Sequence, residues 1–198
     1  MSALLGADED DDRLMESELL SLCATLYSAG HRTTQDLFSN GLAALLPNRE
    51  LVAAIRDGSL PVNAVVEEFL RYETPTHMVA RMLNEPIELG GQKISAREPI
   101  AILLAAANRD SRTYANPELF DPWRWTLEPE PLAPLSFALG AHFCLGASPA
   151  RMEVGIMLEV LIQAFPEIRL GEDPLHWHHT GVFRGLDALP VIPGRRDC

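Results

Sequence analysis

The chain has 198 residues and a mass of 21.8 kDa, which is the size of one domain with a substantial core. Hydrophobic residues make up 47% of the sequence, and this excludes a disordered chain as the default. The formal net charge is −12 with an isoelectric point near 4.8, so the basic footprint of a nucleic-acid-binding protein is absent.

The sequence predicts neither a leader nor a membrane span. The first twenty residues carry seven acids and one arginine, whereas a signal peptide begins with basic residues before an apolar stretch. We expect residues 1–15, which include the acidic run 8–12, to form a solvated loop or tail. The longest apolar run, residues 100–107, is far shorter than a bilayer requires.

The cysteine and arginine content indicates the cellular compartment and the type of organism. The cysteines are Cys23, Cys144 and Cys198. An odd and sparse count gives no disulfide framework, so we expect reduced thiols and a cytoplasmic protein. Fifteen arginines stand against a single lysine, Lys93, which we interpret as the codon bias of a GC-rich bacterium.

From Glu16 the pattern becomes helical and ends at Pro47. Apolar side chains recur at the spacing of one helix face, at Leu19, Leu22, Cys23, Leu26 and Tyr27. A glycine inside a helix costs up to about 1 kcal/mol relative to alanine. Gly30 and Gly41 therefore each indicate a packing or functional reason.

A second helix is predicted to begin at Pro61, where the missing N–H of proline is harmless. Its apolar stripe consists of Val62, Val65, Val66, Phe69 and Leu70. Residues 76–104 are predicted to be strands, with a hairpin at 87–94 around two glycines and a buried strand from Pro99 to Leu104.

Residues 108–134 form a polar, proline-rich passage that is too long for an ordinary connection, which indicates a functional or specially packed segment. A helix then follows, with Ser148 predicted as its N-cap and Pro149 in its first turn. Its apolar face is formed by Val154, Met157, Leu158, Leu161 and Ile162. Residues 171–193 are predicted to form turns and a β-hairpin. The fold class is mainly α with small β elements, in a single domain over 1–198.

The clearest chemical signal is a cysteine in a glycine-rich turn ahead of a helix. The turn reads Phe137-Ala138-Leu139-Gly140-Ala141-His142-Phe143-Cys144-Leu145-Gly146. Gly140 and Gly146 allow the backbone to approach a flat ligand closely. Backbone N–H groups and the helix dipole favour a thiolate there, which is a soft donor suited to iron. On these residues alone, a buried free cysteine is an equal alternative.

The spacing Phe-x-x-Gly-x-His-x-Cys-x-Gly resembles the haem-binding loop of the cytochrome P450 family. Glu68-Phe69-Leu70-Arg71 matches that family's Glu-x-x-Arg, whose charged ends lie one helical turn apart. The passage through Arg124 looks like the segment that precedes the loop, and residues 29–34 resemble the centre of the family's long distal helix. The matches occur in family order and cover almost all of residues 8–193.

The resemblance implies a haem-thiolate monooxygenase: haem b, two electrons from a ferredoxin-type redox partner, and insertion of one oxygen atom from dioxygen into a small organic substrate. Cys144 would be the proximal iron ligand. On the distal side, Gly30 with Ala29 would leave room over the haem, and Thr33 would bond to the oxygen ligand or its water.

The resemblance also implies roles for residues around the haem rim. His142 and Arg81 would bind haem propionates, for which a planar guanidinium is suited. Phe137, Gly140 and Gly146 would complete the haem-contacting loop. The alternative for His142 is a loop histidine packed without a cofactor, and the alternative for Arg81 is an arginine on a surface strand.

Further implications concern structure and partners. Glu68, Arg71 and Arg124 would form a structural ionic triad. The arginines Arg109, Arg112 and Arg151 either form a patch for an acidic ferredoxin or are scattered over the surface. The histidines at 176–179 fit no standard zinc spacing, and we interpret them as part of a surface or substrate-side loop.

The sequence departs from the family pattern in three ways. Arg32 stands where the family usually has an acid, and a guanidinium cannot release a proton near neutral pH. We expect impaired proton delivery and an activity that relies on peroxide, and the alternative is that Arg32 points away from the haem. Ala138 stands where glycine is frequent, and it would be strained if its φ were positive. The chain is also about half the usual length, so an N-terminal complementing half is one of several open interpretations. The alternatives are an inactive fragment, a gene remnant or a helper subunit that binds a partner protein.

Overall fold

The computed structural model describes residues 14–195, so most of the predicted acidic tail and Cys198 lie outside the described residues. The helices are α1 (Glu16–Leu45), α2 (Arg49–Arg56), α3 (Val62–Tyr72), α4 (Leu104–Ala107) and α5 (Ala147–Ala164). The strands are β1 (Met78–Met82), β2 (Ile87–Leu89), β3 (Gln92–Ile94), β4 (Pro99–Leu103), β5 (Arg169–Leu170), β6 (Trp177–His179), β7 (Arg184–Leu186) and β8 (Val191–Ile192). Short 3₁₀ turns occupy Pro122–Thr126, Leu135–Phe137 and Gly140–His142.

The predicted long helices are confirmed as α1, α3 and α5, whereas α2 was missed. The predicted start of α5 was wrong by two residues. Gly146 is the N-cap, because its carbonyl accepts the first helical bond from Ala150 at 2.9 Å. Ser148 and Pro149 therefore lie within the first turn.

The strands form two-stranded antiparallel ribbons: β1 with β4, β2 with β3, β5 with β8, and β6 with β7. The predicted hairpins are confirmed as β2–β3 and β6–β7. Gly90 and Gly91 connect β2 to β3 at φ 57° and 78°, values that glycine adopts without strain. The prediction of a buried β4 was wrong, because a lone ribbon leaves one face uncovered. Leu103 is 55% exposed, and burial resumes at Leu104.

The core surrounds α3, which contacts α1 on one side and α5 on another. Its buried members include Leu45, Val65, Phe69, Leu70, Val154, Leu158 and Ile162. Gly41 of α1 is needed for this packing, since a Cβ there would lie 2.6 Å from Cε2 of Phe69 and closer still to other atoms of the ring. No helix among residues 14–195 is both long and apolar enough to cross a bilayer.

Candidate functional site

Glu68 and Arg71 form a fully buried ion pair on α3. Arg71 donates from Nε to Oε2 at 2.8 Å and from Nη2 to Oε1 at 2.7 Å, the two-pronged geometry that strengthens arginine–carboxylate pairs. Arg124 adds a second cation, with its Nε 3.2 Å from Oε2. The backbone of Asp121 and the indole of Trp125 also donate to this carboxylate, at 2.7 and 3.0 Å. The structure thus brings together the three residues of the predicted triad and adds Trp125.

The other donors of Arg71 hold the long passage that follows α4. Nη1 donates to the carbonyls of Asn108 and Pro117 at 3.1 and 2.8 Å, and Nη2 donates to that of Leu119 at 2.9 Å. A buried guanidinium has five N–H donors to satisfy. The first part of the passage, residues 108–119, therefore folds around this cation.

The side chain of Asn108 connects α3 to the turn ahead of the cysteine loop. It is fully buried, and its Nδ2 donates to the carbonyl of Leu70 at 3.3 Å and to Ser136 Oγ at 2.9 Å. Its Oδ1 accepts from the backbone of Leu135 at 2.7 Å. Sequence analysis assigned no role to Asn108 or Trp125, because a single residue in an aperiodic passage carries no pattern.

The loop around Cys144 is closed by its own backbone. The N–H of Cys144 donates to the carbonyl of Phe137 at 3.1 Å, and the Cys144 carbonyl accepts from Ala147 at 3.2 Å. Gly140 has φ 80° and Ala138 has φ 56°. A positive φ at alanine is strained, so this departure from the family pattern has the expected conformational cost. A Cβ at Gly146 would lie 3.8 Å from Cys144 Sγ, an ordinary contact distance.

Cys144 lines a cavity of about 300 Å³ between its loop and α1. Ala29 and Thr33 of α1 are also part of the lining, one helical turn apart. The other lining residues, mostly apolar, are Thr34, Leu37, Leu70, Pro75, Thr76, Ser136, Phe137, Ala150 and Phe183. A soft sulfur donor in a mainly apolar wall, on a loop with positive-φ turns, fits a large flat apolar ring that carries iron.

The hydroxyl of Thr33 donates to the carbonyl of Ala29 at 2.6 Å. Its proton is therefore engaged within the helix, and toward the cavity the oxygen is left with lone pairs. A bound molecule that carries a proton can donate to Oγ1. Of the hydrogen bonds that the resemblance implies for Thr33, the structure therefore favours one in which Thr33 is the acceptor.

The structure does not place Gly30 on the wall of the Cys144 cavity. Successive residues of a helix are rotated by about 100° around its axis, so Ala29 and Thr33 lie on one face and Gly30 lies on another. Gly30 instead lines a groove between α1 and α5, beside Glu153 and Met157. Ala29 lines the Cys144 cavity and Gly30 does not, and the role that the resemblance implies for Gly30 remains a prediction.

Arg81 and His142 do not line this cavity either. Arg81 is half-buried on β1 and donates from Nη1 to the carbonyl of Ala80 at 2.9 Å. His142 is exposed at the end of a 3₁₀ turn. Their roles toward propionates remain predictions.

Arg32 is turned toward the β6–β7 hairpin. Its Nε lies 3.1 Å from the buried carboxylate of Asp36, and its Nη2 lies 3.0 Å from Nε2 of His178. Arg32 is absent from the lining of the Cys144 cavity but lines an adjoining groove with Thr33 and Phe183. This placement agrees with the alternative in which Arg32 points away from the iron site.

The three surface arginines considered for partner docking are each paired with a carboxylate. Arg109 pairs with Glu118, Arg112 with Asp110, and Arg151 with Glu67. The Arg112 guanidinium lowers the pKa of Asp110 to about 2 through its hydrogen bonds. Since each positive charge is neutralised locally, these residues do not form an unopposed basic patch.

Glu73, at the C-terminal end of α3, pairs with Arg184 of β7. Burial raises the pKa of the Glu73 carboxyl above 4.5, although the Arg184 guanidinium acts in the opposite direction. The protonated form is thus favoured by folding.

We therefore expect the contribution of Glu73 to the free energy of unfolding to be largest below pH 4.5, and to fall as pH rises through the raised folded pKa. Urea unfolding of the wild type and of Glu73→Gln between about pH 4 and 7 measures this dependence. The stability of the wild type relative to the variant should fall with increasing pH. A relative stability that rises with pH would contradict the assignment.

Comparison with known proteins gives the family. The family model described as cytochrome P450 matches residues 1–176. The chain is 39% identical over 191 residues to the biotin biosynthesis cytochrome P450 of Bacillus subtilis, covering 96% of this chain and 47% of that protein. It is 38% identical to the cytochrome P450 monooxygenase PikC of Streptomyces venezuelae, with 96% and 46% covered.

A solved structure shows the same arrangement. The crystal structure of P450BioI in complex with hexadec-9Z-enoic acid ligated acyl carrier protein is 40% identical, with a TM-score of 0.85 over 96% of this chain and 47% of that one. The chain thus spans about half the length of the relatives that it matches. Together with the ordered motifs and the helix-rich fold, these matches show that the chain belongs to the cytochrome P450 family and corresponds to the C-terminal half of that fold.

Proposed function

We propose that this chain provides the haem-thiolate part of a cytochrome P450 monooxygenase that oxidises a small organic molecule. One observation carries the proposal. Cys144 lies on the wall of an apolar cavity that is also lined by Ala29 and Thr33 of α1. The name of the related monooxygenase PikC supports the reaction class. No feature of residues 14–195 favours the helper-subunit alternative.

Cys144 is the proposed ligand of haem b. Bound haem with a thiolate ligand would supply the activation of dioxygen, because the thiolate pushes electron density toward the iron. The chain's own contribution is to hold the sulfur in place. The Cys144 backbone is tied to Phe137 at 3.1 Å, and the N-terminus of the 18-residue α5 begins three residues later. The positive end of that helix favours a negatively charged donor beside it.

Thr33 and Ala29 are the proposed distal residues. Because the Thr33 hydroxyl already donates to the Ala29 carbonyl at 2.6 Å, its Oγ1 accepts a proton-bearing group in the cavity and holds it there. The side chain of Ala29 is a single methyl group, so it occupies little of the cavity. Arg81 and His142 are the proposed propionate-binding residues, since both carry N–H donors suited to carboxylates.

The lining also supports a class of substrate. It is mainly apolar, which favours an apolar molecule over a highly charged one. The related P450BioI was crystallised with a fatty acyl chain on a carrier protein, and an apolar acyl chain is consistent with the lining seen here. We also propose a ferredoxin-type electron donor, on the basis of the family resemblance. Arg109, Arg112 and Arg151 are paired with carboxylates, and we do not assign its docking site to them.

The remainder of the family fold is also proposed to pack against this chain. Met152, Ile156 and Val160 recur every four residues along α5, and each is more than half exposed. Such a stripe on one helix face normally packs against another element. The relatives that this chain matches are about twice as long, and the additional part of their fold is the proposed cover.

The test is carbon monoxide binding by the reduced, haemin-loaded chain. The wild type should show the red-shifted Soret band of a thiolate-ligated ferrous complex, and Cys144→Ser should lose it, because an alcohol is a poor soft donor. Cys23→Ser is the matched control, since Cys23 lies on α1 away from the cavity lining, and it should keep the band. An unchanged band in Cys144→Ser, or no haem uptake by the wild type, would refute the proposal.

A further inference from the structure

One wall of the Cys144 cavity is built from two segments that are distant in sequence. Pro75 and Thr76 follow α3, and Phe183 lies between β6 and β7; all three line the cavity. The N–H of Arg184 donates to the Pro75 carbonyl at 2.9 Å, and that of His77 donates to the Val182 carbonyl at 2.8 Å. Thr76 and Phe183 form a β-bridge between these bonds. The position of Phe183 in the cavity thus depends on how these segments are joined.

Arg184 is the residue that joins them. Its guanidinium pairs with Glu73, two residues before Pro75, and lies 3.4 Å from the ring centroid of Trp177 on the neighbouring strand β6. Its backbone carbonyl accepts from Nδ2 of Asn40 on α1 at 3.1 Å, and Asn40 is fully buried. One residue therefore connects α1, the end of α3 and both strands of the hairpin.

The Glu73–Arg184 pair is poorly explained as a simple source of stability. Both side chains are largely buried, at 13% and 21% exposure. Burial raises the pKa of Glu73 in spite of its cationic partner, so desolvation of the carboxylate outweighs the attraction. Buried pairs of this kind often stabilise a fold less than apolar residues would. What the pair provides is a fixed geometry next to the cavity wall.

We propose that Glu73 and Arg184 are positioning residues that fix the wall of Pro75, Thr76 and Phe183, and so set the size of ligand that the cavity accepts. The part of this inference that concerns ligand size rests on the proposed haem-thiolate function. The part that concerns the wall does not, since it follows from contacts within the chain.

The first experiment measures ligand size directly. Imidazole and 4-phenylimidazole both bind haem iron, but the phenyl group needs space against the cavity wall. In the haemin-loaded full chain, the ratio of their dissociation constants should change about fivefold or more in Arg184→Met and in Glu73→Gln. Arg184→Lys should restore part of the wild-type ratio, because a cation is kept. Arg112→Met removes an exposed pair outside the cavity lining and should leave the ratio unchanged.

The second experiment uses hydrogen exchange in the chain without haem. Amides in 74–78 and 180–186 should exchange about tenfold faster in Arg184→Met and in Glu73→Gln, with little change elsewhere. Unchanged exchange and an unchanged ligand ratio would overturn the inference, as would equal acceleration throughout the chain, which indicates a general loss of stability. If the wild type takes up no haemin, the proposed function fails, and the exchange result still decides whether the pair fixes the wall.

Discussion

Arg71→Leu should destabilise the chain by about 3–5 kcal/mol, because it leaves the Glu68 carboxylate buried without its bidentate partner. Arg71 also provides three hydrogen bonds to the carbonyls of 108–119, so the passage that carries Arg124 and Trp125 should loosen with it. The expected result is a large fall in the urea midpoint, accompanied by loss of haemin uptake.

The matched control for this variant is Arg112→Leu. Arg112 is also paired with a carboxylate, but its side chain is 88% exposed, and solvent screens such pairs. Its urea midpoint should stay at the wild-type value. If Arg71→Leu retained the wild-type midpoint as well, the ionic network around Glu68 would not be holding the fold.

Gly41→Ala should destabilise the chain by about 1–3 kcal/mol, the usual cost of overpacking a core. The new Cβ would overlap the ring of Phe69, whose Cε2 would be 2.6 Å away. Phe69 is fully buried between α1 and other core elements, so its ring has no free space to occupy. Thermal or urea unfolding measures the loss.

Gly30→Ala is the control in the same helix. Apart from the adjacent backbone and chain neighbours, no atom of residues 14–195 lies within 4 Å of the position its Cβ would take, and alanine is favoured over glycine in a helix interior by up to about 1 kcal/mol. The two substitutions should therefore have opposite signs. A stabilising Gly41→Ala would show that α1 and α3 are not packed as closely as described.

Elements with strong periodicity or capping signals could be predicted from the sequence. The apolar stripe of α3 begins at Val62, directly after the N-cap Pro61, and places Val65 and Phe69 in the core, because helical spacing and burial follow the same period. The β2–β3 hairpin follows from paired glycines that adopt positive φ. The exposure of β4 was not predictable, since an apolar run has the same sequence pattern whether or not another element covers it.

The site divides in the same way. A motif with fixed spacing identified Cys144, Glu68 and Arg71, because local geometry determines how such residues are presented. Which residue of α1 lines the cavity was not fixed by the motif, and the helix rotation selects Ala29 over Gly30. Trp125 depends on long-range packing, which no local pattern encodes.

The Glu73–Arg184 pair was also beyond sequence analysis. Its partners are 111 residues apart, and no spacing rule connects them. The pair lies beside the β-bridge between Thr76 and Phe183, where the end of α3 meets β7. Arg32 is a related case, since its contact with His178 spans 146 residues.

The most direct test of the central claim is X-ray absorption at the iron edge of the haemin-loaded chain. We expect one sulfur neighbour of the iron in the wild type and in Cys23→Ser, and none in Cys144→Ser, since Cys144 is the one cysteine of residues 14–195 that lines the cavity with Ala29 and Thr33. An iron with only nitrogen or oxygen neighbours in the wild type, or a sulfur neighbour that persists in Cys144→Ser, would contradict the account.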